Sequence, residues 1–379
     1  NDNLSRFNQF FNRDRVRFWT AVFPTEPRFH YVLNGQDIYI RAANYIPTQH
    51  WANLQEDYYL RDFEILKKAN LHSVGIHGHI QSQACYKAAD KAGISIFQDF
   101  PLQWTYASGT QETPGFVDKA VRMAAEMAYF LWNHPSVVYY AAHNEPPHAI
   151  SHTVNQMIRN SKKSGRTFFQ RLGLTIRQFI FNFIFLPASD SHNALKDHLN
   201  YHLDAAIKAT LEKVDPNRYV HLASGTGIDI HEYSGTNNGG SVYQVGSLQA
   251  PFVSEFGSRH VEQTAVGNSD QWAAPWPPTG KQIDIFCKQG LIPQEPLEAV
   301  GDFDRYGDLG SFAYASESKA AFIAKYQTEF FRINRDKPYR GYRWHFLVNY
   351  WGFTGAGLVD KDRKTTFAYD ALTKASRPS

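Results

Sequence analysis

Short runs of β-branched and aromatic residues alternate along this chain with longer stretches of helical periodicity. That alternation limits the fold most, because it is how parallel strands joined by crossover helices read in a sequence. Eight runs are expected as strands: 38–43, 73–77, 94–99, 137–142, 219–223, 228–232, 251–255 and 341–347. Helices are expected over 55–70, 82–92, 116–132, 194–213, 316–332 and 366–375, with apolar residues at i, i+3 and i+4. No Gly-rich phosphate loop follows the first strand, so eight such units fit a closed (β/α)8 TIM barrel better than an open dinucleotide-binding sheet.

Two segments exceed a minimal barrel. An insertion over 151–191, after the fourth strand, holds an apolar stretch with Phe168, Phe169, Phe179, Phe181, Phe183 and Phe185, interrupted by Arg166, Arg171 and Arg177. A helical subdomain packed on the barrel, or a contact with a protein partner or other chains through 166–186, is expected. A peripheral membrane contact is the second reading. The arginines break any run of the ~20 apolar residues needed to span a bilayer. The second segment, 261–310, is rich in Pro, Gly, Trp and Gln and reads as a long loop after strand 7, of the sort that walls an active site.

The 39 basic and 36 acidic residues are spread along the 379-residue chain and leave a formal charge of +3, which gives no field suited to nucleic acid. Cys85 and Cys287 are the two cysteines, and they lack metal-ligand spacing. His72, His77 and His79 lie close in sequence, but no carboxylate or cysteine nearby completes a ligand set, so neither metal nor cofactor is expected. The start at Asn1-Asp2-Asn3 shows no signal peptide, and the compartment stays open, a secreted, periplasmic or lysosomal-type one being favoured. Aromatic residues make up 15% of the chain, material for a large core and for a sugar-stacking cleft alike.

Barrel enzymes carry their chemistry at the C-terminal ends of strands. Two carboxylates stand there. The run 137–142 ends in His143-Asn144-Glu145-Pro146-Pro147, and the run 251–254 ends in Glu255-Phe256-Gly257. They close the fourth and seventh strands, on opposite sides of a small ring. That topology can supply the roughly 5–5.5 Å separation of a retaining glycosidase, with Glu145 as general acid/base and Glu255 as nucleophile. Asn144, beside the acid, suits the 2-hydroxyl of a sugar.

In order along the chain, Ala43-Asn44-Tyr45-Ile46-Pro47, Gly93 through Phe100, His134-Pro135-Ser136, Asn144-Glu145 and Ser254-Glu255-Phe256-Gly257 resemble the catalytic domain of glycoside hydrolase family 2, in its branch of β-mannosidases and exo-β-glucosaminidases. The resemblance covers about 30–378. It implies Glu145 as acid/base, Glu255 as nucleophile, Asn144 as a hydroxyl contact and Trp344 as the platform beneath the sugar. His231 and Tyr233 would bind sugar or orient Glu255, and Trp104 and Trp351 would wall the cleft. The expected activity is hydrolysis of a terminal β-mannoside or β-glucosaminide through a glycosyl-enzyme. Transglycosylation would use the same residues.

Two departures stand out. Gly75 occupies the place where the family has an arginine close to the nucleophile, and His77 and His79 are the expected substitute cations. Only about 30 residues precede the barrel, where the family carries β-sandwich domains, so 1–30 reads as an extension or remnant of one and 31–379 as the barrel. The alternative function is a carbohydrate-binding or scaffold protein on a degenerate barrel within a larger assembly.

Overall fold

The structure, a computed structural model, describes residues 31–47, 54–103, 113–146, 201–225, 228–236, 241–246, 250–261, 309–335, 337–349 and 354–378. The eight expected strands are present: β1 (Ile40–Tyr45), β2 (Ser73–Ile76), β3 (Ser95–Asp99), β4 (Val137–Ala141), β5 (Tyr219–His221), β6 (Asp229–Glu232), β7 (Phe252–Phe256) and β8 (Gly341–Trp344). They form one parallel eight-stranded sheet in the order β5-β4-β3-β2-β1-β8-β7-β6. The two edges are thus consecutive strands. Side chains close the ring between them: Ser224 Oγ lies 3.3 Å from Ser254 Oγ and 3.3 Å from His231 Nε2, and Asp229 accepts the amide of Gly225.

Helices α1 (Glu56–Lys68), α2 (Gln83–Ala92), α3 (Pro114–Leu131), α4 (Tyr201–Val214), α5 (Leu309–Ile333) and α6 (Phe367–Ala375) cover the outside. In α1 the buried residues Tyr59, Asp62, Phe63 and Leu66 recur at helical spacing, with Glu56 and Asp57 in the first turn and Lys67 and Lys68 in the last, complementing the helix dipole. None of the described helices is long and apolar enough to cross a membrane. The insertion 151–191 and nearly all of the loop 261–310 lie outside the described residues, as do 1–30, Trp104 and Trp351.

One expectation shifts at the start. Asn34 and Gly35 both have positive φ, 52° and 80°, which makes a tight turn between Tyr31–Leu33 and Gln36–Ile38. The run expected as one strand from residue 38 is therefore the end of this hairpin followed by β1. The hairpin brings Tyr31 edge-on to Phe97 and Phe252, at 5.4 and 6.0 Å, and with Ile40, Ala42, Tyr139 and Ala141 these rings fill the barrel interior. Because Phe252 and Ile40 begin their strands, this packing plugs the N-terminal mouth and leaves the opposite end for chemistry.

Candidate active site

At the C-terminal ends of the strands, polar side chains converge on Glu255. It is 3% exposed, on an apolar strand whose five residues are all buried. Asn44, at the end of β1, donates through Nδ2 to Glu255 Oε1 at 3.0 Å, and the Tyr233 hydroxyl donates to Oε2 at 2.7 Å. Nδ1 of His77 and Nδ1 of His231 each stand 3.5 Å from one of its oxygens. Burial pushes the Glu255 carboxyl up, but the charges of His231, His77 and Arg343 outweigh it and hold Glu255 well below the usual carboxylate range. A carboxylate so held is ionised and fixed in direction.

Glu145 follows β4 with φ of 50°, a left-handed backbone unusual for a residue with a side chain, and its side chain is 36% exposed. Its amide donates to the Ser224 carbonyl and that of Asn144 to the Leu102 carbonyl, so neighbouring strand ends fix the turn on both sides. His143, just before, is buried and hydrogen-bonded to Asp204 of α4 at 2.7 Å. His231 Nδ1 lies 2.5 Å from Glu145 Oε1, and one atom from each of Glu145, His231 and Glu255 falls within 4.8 Å of the others. Burial lowers the His231 pKa, yet Glu255 and Glu145 together raise it to about 9. His231 is thus an imidazolium between two carboxylates. Among the described residues this trio is the one group spaced as metal ligands are, and ion pairing already accounts for it; His72, His77 and His79 do not gather into a set.

The two histidines expected as substitutes for the arginine separate. His77 Nδ1 bonds Asp99 at 3.0 Å, and although burial opposes it, Glu255 and Asp99 raise its pKa. His79 is buried against the His77 carbonyl and Gln81, and burial drops its pKa to about 4, so it is neutral near pH 7. Trp344 is fully buried: its ring lies under Gly257 and edge-on to Phe256, with Nε1 donating to the Ala356 carbonyl at 2.6 Å. In this arrangement it supports the end of β7 and presents no open face. Sequence reading missed Asn44, Asp99, Arg343 and His345. Asn44 and Asp99 end β1 and β3 and could have been found by the rule that located the glutamates. His345 packs on Tyr233 with ring centroids 5.6 Å apart, and burial takes its pKa to about 3.

The eight-stranded parallel sheet of a (β/α)8 barrel thus carries Glu145 and Glu255 at the ends of its fourth and seventh strands. Known proteins agree in fold. No family model matches the chain. A β-mannosidase of Mus musculus is 26% identical over 127 residues, 32% of this chain and 14% of that protein. A β-D-mannosidase of Dictyoglomus thermophilum matches 92% of this chain at a TM-score of 0.65 and 16% identity. A glycoside hydrolase family 2 β-galacturonidase of Eisenbergiella tayi, bound to galacturonate, matches 91% at 0.55 and 13% identity. The chain spans 40% and 52% of those two structures. The resemblance to the family 2 catalytic domain therefore holds in fold, and in part in sequence.

Proposed function

We propose that this chain is the catalytic barrel of a retaining β-glycoside hydrolase, with Glu255 as nucleophile and Glu145 as acid/base. The observation that carries this reading is the pair itself: one carboxylate oxygen of each lies within 4.8 Å of the other, which is compatible with the roughly 5–5.5 Å between the carboxyl groups of a double displacement. The ionised Glu255 attacks the anomeric carbon as the bond to the leaving oxygen breaks and Glu145 protonates that oxygen. The proton that Glu145 needs lies along its bond to His231 Nδ1. Transfer along it turns the ion pair into a neutral pair, which is favoured once a bound sugar excludes water. Esterification of Glu255 then removes one of the charges that hold the proton on His231. Water, deprotonated by Glu145, cleaves the glycosyl-enzyme with retention.

Asn144 is 1% exposed and its Oδ1 accepts no hydrogen bond among the described residues, which suits an acceptor for a sugar hydroxyl. The substrate class proposed is a terminal β-linked sugar, a β-mannoside or β-glucosaminide first, in keeping with the two β-mannosidase relatives. Glu145→Ala tests the assignment. It should slow substrates with poor leaving groups by about 10²–10⁴-fold while sparing activated aryl glycosides, because only the former need the proton. Equal losses on both would make Glu145 structural.

A further inference from the structure

Gly75 of β2 has no side chain, and the space above it is occupied. A β-carbon there would stand 2.7 Å from Asn44 Oδ1 and 2.8 Å from Arg343 Cδ, and nearer still to Arg343 Nη1. Arg343 belongs to β8, which is separated from β2 by β1, so its side chain crosses β1 to reach that space. It is 1% exposed, and its Nε donates at 2.6 Å to the carbonyl of Ser254, the residue before Glu255. We propose that Arg343 is a positioning residue for the nucleophile, a fixed cation delivered from β8 into the side-chain space that Gly75 leaves empty. The proposal rests on the reading of Glu255 as nucleophile.

The groups facing Glu255 show why such a cation matters. They are Asn44 from β1, His77 just beyond β2 with Asp99 of β3 behind it, Glu145 beyond β4, His231 from β6 and Tyr233 just beyond it. Arg343 of β8 and His345 just beyond it join them among the described residues. His77 and His231 lose their charge as pH rises, and His345 is neutral near pH 7. A guanidinium stays charged throughout. It is also poorly tolerated when buried alone, so a guanidinium this deep calls for an anion beside it. Anchoring through Nε to the backbone of the nucleophile strand fixes the charge relative to Glu255, which no freely rotating cation would do.

The test is the titration of Glu255 itself, followed by carbon-13 NMR on protein labelled at the glutamate carboxyl carbon, with the signal assigned through Glu255→Gln. Arg343→Met should raise the pH at which Glu255 titrates by about 1–3 pH units, the usual influence of a close opposite charge. Gly75→Ala should move it the same way, since the new methyl displaces the guanidinium, and Arg343→Lys should move it less. The pair Gly75→Arg with Arg343→Gly should bring it back towards the parent. If Arg343→Met does not fold, Gly75→Ala and Arg343→Lys carry the test. An unchanged Glu255 titration in the folded variants overturns the proposal. The titration needs no turnover, so a parent protein inactive on every β-glycoside would unseat the catalytic reading separately, leaving the electrostatic role of Arg343 measured on its own.

Discussion

His231→Gln should cost stability in a way that depends on pH. The imidazole side chain is 9% exposed and sits between Glu145 and Glu255, and its pKa in the folded protein is about 9 against an ordinary 6.5. Folding therefore favours the charged form. The stabilisation is complete below about pH 6.5, declines as pH rises, and is lost above about pH 9. A gap of roughly 2.5 pH units at 1.36 kcal/mol each gives a contribution on the order of 3 kcal/mol at its full extent. Glutamine keeps much of the bulk and a donor but cannot carry the charge. Denaturant unfolding of parent and variant from pH 6 to 9.5 should show a stability difference that is largest at the acid end and shrinks through that window. A difference independent of pH would refute the imidazolium assignment, because packing or a neutral hydrogen bond would then explain the whole effect.

His77→Gln and His79→Gln should part company. The first should shift the acid limb of the pH–rate profile upward, because His77 is held charged beside Glu255, while the second should leave that limb in place, because His79 is already neutral; steady-state kinetics between pH 4 and 9 would show both. Asp62→Ala should destabilise by about 3 kcal/mol in denaturant unfolding, because it leaves half-buried Arg363 without its two-pronged partner and the buried Tyr45 hydroxyl without its acceptor.

The barrel was legible because buried parallel strands are apolar along their whole length and end in polar residues, as Val137–Ala141 does before Asn144-Glu145. Both glutamates followed from that rule alone. The helix expected from residue 116 begins two residues earlier, where Thr113 and Pro114 are a readable entry, with proline at the first helical position. The Asn34-Gly35 pair likewise announces a hairpin rather than a continuous first strand. What covers Gly75 could not be read, since it depends on a side chain arriving from a strand two places away around the ring. Nor could the fate of His77 and His79. Two residues apart in the chain, they meet different neighbours, a carboxylate pair for one and a backbone carbonyl for the other.

Covalent trapping tests the central claim most directly. A 2-fluoro-β-mannosyl fluoride, with the 2-fluoro-β-glucosyl reagent beside it, should inactivate the protein and add one glycosyl unit that peptide mapping places on Glu255, since such reagents halt a double displacement at the glycosyl-enzyme. The account predicts an ester on Glu255 and none on Glu145. An adduct on any other residue, with Glu255 unmodified, would contradict it.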